Sequence, residues 1–410
     1  MTAGSRGDVA PYTGLGAGLA RAGHDVTLVT HAVFEPLLAG SGVRFQAVPG
    51  DPRAELHSTR GQGLHRSRNG AAKLLRAVAL ARRIAPEMTH SLVRAARDAD
   101  VVLAGGTVAP LACAIAAGVS RPSMGLFLQP LHGTREFPPP MLGTRSLGPL
   151  GNRMGGHAVA AAVDSVFTGA ARALATEHSL PASRLPSARR ARERQGWPVW
   201  HGFSELVVPR PRDWRPGLEV CGYWWPHDSV SRLPRELEDF LGAGPAPVYV
   251  GLGSATTPDP RRVSAHIVTA LRAAGLRGVI QHGWAGLSAD QDDMITIGDV
   301  PHSLLFPRMA AVVHHAGAGT TGAALRAGVP CVPVPVQFDA SFWASRLVDL
   351  GTAPGAVPLR RLDADTLGSA LRRVTADPSY RERARHIARR LAAEDGVAPV
   401  AAALERLVRP

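Results

Sequence analysis

The sequence predicts an α/β protein built from two doubly wound parallel-sheet domains. Three observations carry that prediction. Short apolar runs alternate with longer amphipathic stretches, the alternation restarts after the middle of the chain, and 410 residues suffice for two full cores. Strand–helix alternation of this kind gives a parallel sheet covered by helices on both faces. Ligands of such sheets bind beyond the carboxyl ends of the strands, so two facing domains are expected to hold the site in a cleft between them.

In the first half, "DVTLVT" (Asp25–Thr30), "VRFQAVP" (Val43–Pro49), "DVVLAGG" (Asp100–Gly106) and "PSMGLFLQP" (Pro122–Pro130) read as buried strands, with Ala- and Leu-rich helices between them. In the second half the strands are "APVYVGLGS" (Ala246–Ser254), "GVIQHG" (Gly278–Gly283), "MITIG" (Met294–Gly298), "AAVVHH" (Ala310–His315) and "VPCVPVPV" (Val329–Val336). Between the halves, "VVPRPRDWRPGLEVCGYWWPHDS" is rich in Pro, Trp and Arg and lacks a clean period. The expected organisation is therefore a first domain over residues 1–205, a connector over 206–245 and a second domain over 246–385. A helical tail over 386–410 has the pattern to cross back onto the first domain.

The formal charge of +13 comes almost wholly from arginine, and Lys73 is the only lysine. Arginine is spread along the chain, as a GC-rich coding sequence produces, and a nucleic-acid partner is not expected. One local excess, "RGQGLHRSRNGAAKLLRAVALARR" (Arg60–Arg83), suits a solvated loop and helix face, peripheral contact with a membrane surface or the lining of an acceptor groove. No apolar run is long enough to span a bilayer and no signal segment opens the chain. Cys113, Cys221 and Cys331 are odd in number and far apart, which fits neither a disulfide framework nor a metal site. These features predict a cytoplasmic protein; oligomeric state is not legible.

The strongest motif is "AAVVHHAGAGTTGAALRAG", a strand that runs through small residues into a helix. Small residues let the backbone approach an anion, and amides at a helix start donate to it with the helix dipole behind them. Thr320 and Thr321 add hydroxyls at capping positions. His314 and His315 are strand neighbours and face opposite ways, so one reaches the anion and the other packs. The loop has no P-loop lysine. A plain Thr-capped turn explains the same residues equally well. Downstream, Asp339 in "QFDASFWASR" either grips sugar hydroxyls or caps the following helix. "VYVGLGS" offers Gly253 and Ser254 to the same phosphates, and Val300 with Pro301 offers a flat wall to a nucleobase.

The chain opens "MTAGSRGDVAPYTGLGAGLARAG", with Gly4, Ser5, Arg6 and Gly7 before a helix. The glycine spacing is not that of a dinucleotide fingerprint. Asp8 sits where the helix begins. As a cap it is ionised and weakly basic; buried under an apolar ligand, its pKa rises and it serves as a general base. Both readings stay open on sequence.

Together these residues resemble the GT-B glycosyltransferases of the UDP-glycosyltransferase superfamily (family 1), in the branch of bacterial antibiotic (vancomycin-type) and sterol glucosyltransferases. "GSRGDVAPY", "VPGDP", "LQPLHGTREFPPP", "VYVGLGS", "GWAGL", "VPHSLLFPRMAAVVHHAGAGTT", "LRAGVPCVPVP" and "FDASFWASR" fall in family order across essentially the whole chain. The resemblance implies an acceptor-binding first domain and a second domain that holds a nucleotide-sugar. It implies diphosphate contacts at His315, Gly317, Ala318, Gly319, Thr320, Ser254 and Ser5. It also implies a sugar contact at Asp339, a nucleobase wall at Val300 and Pro301, and a catalytic base at Asp8. No metal or cofactor is implied beyond a UDP- or dTDP-linked co-substrate, and no Asp-x-Asp motif stands where it would hold a metal. The chain departs from the family pattern in three places. Ala340 replaces the family's Gln after Asp339, Ala323 replaces a ribose-binding Glu, and only Met1, Thr2 and Ala3 precede the first loop where relatives carry several more apolar residues. The last departure suggests a start placed downstream of the true one, or a first strand largely cut away.

The function expected is inverting transfer of a sugar to a hydroxyl of an apolar acceptor such as a polyketide, macrolide, peptide antibiotic or sterol-like compound. Three alternatives are a nucleotide-sugar hydrolase or isomerase, a membrane-surface lipid glycosyltransferase and a non-catalytic partner of the same fold. Donor turnover without acceptor, vesicle co-sedimentation and donor binding without turnover would separate them.

Overall fold

The computed structural model describes the chain apart from residues 58–69, 178–188, 290, 337 and 409–410. Residues 60–69 of the basic Arg60–Arg83 stretch therefore lie outside the described residues. The chain divides into two compact units, Met1–Ser229 with Asp395–Pro410, and Val230–Glu394.

The first unit contains α1 (Arg6–Arg21), β1 (Thr27–His31), β2 (Arg44–Val48), α2 (Pro52–His57), α3 (Gly70–Arg97), β3 (Val102–Gly105), α4 (Ala109–Gly118), β4 (Ser123–Phe127), α5 (Gly148–Glu177), α6 (Arg189–Arg194), β5 (Val199–His201) and β6 (Leu218–Val220). Two all-parallel sheets result, β1–β2 and β3–β4–β5–β6. Met1 and Thr2 lie between them. The Met1 nitrogen donates to Leu103 O at 2.9 Å, Gly105 N–H donates to Met1 O at 2.8 Å, and Thr2 N–H donates to Val29 O at 3.0 Å. These two residues pair on both sides and tie β1 to β3. The loop that follows leads directly into α1.

Helix α1 places Val9, Tyr12, Leu15 and Leu19 on one face by their three- and four-residue spacing, and that face is buried. It packs with Leu28, Phe34, Met124, Leu126 and Trp224 in the core of the unit. Val400 and Leu404 of the C-terminal helix (Ala398–Val408) join the same core. Trp224 Nε1 donates to Gly396 O at 2.9 Å where that segment arrives.

The second unit contains α7 (Arg235–Gly242), β7 (Val248–Gly251), α8 (Pro260–Ala273), β8 (Gly278–Gln281), β9 (Met294–Ile297), α9 (His302–Leu305), β10 (Ala311–His314), α10 (Ala318–Arg326), β11 (Cys331–Pro333), α11 (Ala340–Asp349), α12 (Ala364–Ala376) and α13 (Pro378–Leu391). Its five strands form one parallel sheet in the order β11–β10–β7–β8–β9. Val248, Val250, Ile280, Val313 and Val332 pack from the sheet against Ile267, Leu271, Leu367 and Leu371 of the helices.

The domain boundaries differ from those expected. The segment 206–245 is not a free connector. β6 lies within it and pairs with β5, and Trp214 and Trp224 are buried in the first unit. The division falls at residue 229 instead of 205, because a three-residue strand among prolines leaves no periodic trace. At the other end, α13 stays in the second unit, and the division falls after Glu394 instead of at 385.

Candidate functional site

In the second unit the functional residues gather at the carboxyl end of β10. His314 ends that strand between Gly251 of β7 and Pro333 of β11. It is fully buried, and its Nδ1 accepts a hydrogen bond from Ala316 N–H at 3.2 Å. Burial, reinforced by His315 and His302, lowers its pKa to about 3, so it is neutral at physiological pH. Of the paired histidines, His314 is the one that packs.

His315 leaves the strand and lies against two backbone segments. A Cβ on Gly317 would stand 2.5 Å from its Nε2, and one on Gly253 would stand 2.7 Å from its Cε1. Gly253 also has φ of +55°. The ring therefore requires glycine on both sides. Desolvation lowers its pKa to about 4. A neutral imidazole still donates one N–H, and its Nδ1 has no hydrogen-bond partner among the described residues.

Helix α10 opens beside this ring with Gly317 at its N-cap. The amides of Ala318, Gly319 and Thr320 are the first of the helix and have no acceptor within it. Thr321 N–H closes the first turn onto Gly317 O at 2.9 Å. The capping position expected for the two threonines belongs to Gly317, and Thr321 is fully buried. Thr320, half-buried in the first turn, is the one that remains at the opening. Ser254 follows Gly253 and is half-exposed. Sequence could not place Gly253 against His315, because that neighbourhood depends on the parallel register Gly251↔His314.

Asp339 occupies the N-cap of α11, yet its side chain does not cap the backbone. Its Oδ2 accepts from Trp343 Nε1 at 2.7 Å, one helical turn on. The preceding Phe338 adopts φ of +53°, and Ala340 is buried. Val300 and Pro301 form the half-exposed loop between β9 and α9.

In the first unit, Asp8 stands in the first turn of α1 with Ser5 as the N-cap. Ser5 N–H and Ser5 Oγ–H each donate to Asp8 Oδ2 at 2.9 Å. Gly4 has φ of +135°, and a Cβ there would stand 2.6 Å from Oδ2. Desolvation raises the Asp8 pKa against the two Ser5 bonds, which lower it. Asp8 is thus not the cap; it is a half-buried carboxylate pinned through one oxygen. Ser5, expected at the diphosphate, has its single hydroxyl hydrogen committed to Asp8. Phosphate oxygens take donors, so in this structure Ser5 serves Asp8 instead.

Two units of parallel sheets flanked by helices are the architecture of the GT-B class. The chain belongs to the family 1 GT-B glycosyltransferases and is a nucleotide-sugar-dependent enzyme. Residues 1–117 match the glycosyltransferase family 28 N-terminal domain, and residues 259–407 match the C-terminal domain of erythromycin biosynthesis protein CIII-like proteins. The chain is 37% identical to O-mycaminosyltylonolide 6-deoxyallosyltransferase of Streptomyces fradiae, over 97% of this chain and 94% of that protein. It is 31% identical to a sterol 3-beta-glucosyltransferase of Arabidopsis thaliana over 97% of this chain, but spans only 63% of that longer protein. Among solved structures it resembles the calicheamicin glycosyltransferase CalG4 (TM-score 0.67, 19% identity, 99% of this chain and 96% of that one). It also resembles the glycosyltransferase VinC, solved with dTDP (TM-score 0.67, 20% identity, 99% and 98%). Among the described residues, no helix is long and apolar enough to cross a membrane.

Proposed function

We propose that the chain transfers a sugar from a UDP- or dTDP-sugar, with inversion, to a hydroxyl of an apolar natural product of the polyketide, macrolide, peptide-antibiotic or sterol-like kind. The observation that carries this reading is the cradle at α10, where three first-turn amides adjoin a neutral imidazole wedged between two glycines. The relative that matches nearly end to end takes a deoxysugar, in keeping with a dTDP-linked donor.

In this scheme Asp8 takes the acceptor proton on Oδ1 while Ser5 holds Oδ2. The acceptor oxygen forms its bond to the anomeric carbon as the bond to the diphosphate oxygen breaks, through an oxocarbenium-like transition state. The leaving diphosphate gains charge. The amides of Ala318, Gly319 and Thr320 and one N–H of His315 receive it, with Ser254 beside them. Asp339 holds sugar hydroxyls, Trp343 fixing its orientation. The scheme draws on no cofactor besides the nucleotide-sugar and involves no nucleic acid. We place the reaction in the bacterial cytoplasm.

Replacing Asp8 by Asn keeps the Ser5 bonds and removes the base. Asp8→Asn is expected to lower kcat by about a hundredfold or more while donor affinity stays unchanged. Turnover near that of the wild type would remove Asp8 from the base role.

A further inference from the structure

The Val300–Pro301 loop of the second unit is tied to β7 and β8 by a polar chain that no step above uses. Tyr249 of β7 is 2% exposed. Its hydroxyl donates to Gln281 Oε1 at 2.7 Å, and Gln281 Nε2 donates to Asp299 Oδ1 at 2.8 Å. The donor at each step is unambiguous. An ionised carboxylate only accepts, so the Gln281 amide nitrogen faces Asp299 and its oxygen is left to accept from the phenol.

The tyrosine lies along its own strand over Gly251, where a Cβ would collide with the Tyr249 hydroxyl and stand 2.8 Å from Gln281 Oε1. A glycine at the strand end is therefore what lets the ring reach across to β8. The same ring packs edge-on against His302, with centroids 5.9 Å apart, and against Phe306 at 5.0 Å. His302 in turn stacks on Phe306 at 4.2 Å. Residue 299 is thus held through hydrogen bonds and residue 302 through ring contact, and both holds converge on one side chain. Between them lie only Val300 and Pro301.

We propose that Tyr249 is a positioning residue for the donor, clamping both ends of the Val300–Pro301 loop so that it presents a fixed wall to the nucleobase. This rests on the reading of Val300 and Pro301 as that wall. Tyr249 and Gln281 are buried while Asp299 is exposed at the loop, and losing the phenol leaves the buried Gln281 oxygen an unpaired acceptor that shifts its neighbours. The consequence falls on the base and not on the phosphates, which are bound at α10.

The experiment compares competitive inhibition constants for dTDP, UDP and inorganic pyrophosphate in the full chain and in Tyr249→Phe. Both nucleoside diphosphates should bind about fivefold more weakly to the variant, the loss expected for one buried hydrogen bond, while pyrophosphate binds as before. The donor KM should rise with kcat at saturation unchanged. Equal weakening of all three ligands, or no change in any, overturns the proposal. Should Tyr249→Phe not fold, Asp299→Asn and Asp299→Ala decide the matter. Asn keeps an acceptor for Gln281 and should retain dTDP affinity, whereas Ala should lose it; identical behaviour of the two contradicts the clamp. A wild-type chain that binds no nucleoside diphosphate overturns the donor reading itself and this inference with it. Normal wild-type binding with an unaffected Tyr249→Phe overturns this inference alone.

Discussion

Among the described residues burial lowers the pKa of four imidazoles, His31 among them. His201 and His315 are lowered to about 4 and His314 to about 3, each from an ordinary value of 6.5. Below pH 6.5 the unfolded chain takes up protons that these folded sites refuse until the pH nears 4. Their contribution to stability is therefore full above pH 6.5 and falls as the pH drops toward 4. Asp8 acts in the opposite sense. Its raised pKa means that the folded chain binds its proton first, which relieves the cost of a buried carboxylate as the pH falls. The buried Met1 amine, lowered from 8.0 to about 5, acts in the same sense as the imidazoles, so the stability read from chemical unfolding curves should fall on acidification from pH 8 toward pH 4, most steeply below pH 6.5. A midpoint that rises on acidification would contradict the assigned burial. Activity has a separate limb. A general base must be unprotonated, so kcat/KM rises with pH through the Asp8 pKa, above the usual carboxylate range.

At the scale of elements, what was legible followed how local each signal is. The β10–α10 turn reads directly, because strand, small residues and helix start are consecutive. All five strands of the second sheet lie within apolar runs, the three-residue β11 inside the longer "VPCVPVPV". β5 and β6 are three residues each among Pro and Trp, and their pairing is set by distant partners. Asp8 was ambiguous because cap and third helical residue differ by three positions, and only the Ser5 geometry separates them. Gly14 of α1 lets the carbonyl of Trp225 approach the helix more closely than any Cβ would permit. The C-terminal helix has a mechanical role in this account. Val400 and Leu404 are buried beside Leu15 and Leu19, so the last residues of the chain complete the core behind the Asp8 helix. Leu404→Ala should cost about 2–4 kcal/mol, read from urea unfolding of the full chain. A cost below about 0.5 kcal/mol, the range of surface substitutions, would show that the helix is not docked there.

At the scale of the whole molecule, the proposed scheme divides function between two units that each supply one half of the chemistry. The first holds a carboxylate whose basicity is set by burial and aimed by Ser5. In that scheme the second offers backbone donors that need no side-chain charge. Neutral donors on a rigid helix start are already oriented when charge develops on the leaving group, and that preorganisation is the source of their catalytic value. Ala340, which stands where the resemblance implies a Gln beside Asp339, is buried. Its effect is expected on sugar preference, donor hydrolysis or turnover.

The central claim is that backbone amides at the start of α10 bind a nucleoside diphosphate. Equilibrium titration of the full chain with dTDP and with UDP tests it directly. The account predicts saturable binding of at least one, weakened about tenfold or more in Gly317→Ala, where the new methyl displaces the His315 ring. No binding to the folded wild-type chain, or affinity in Gly317→Ala equal to the wild type, would contradict it.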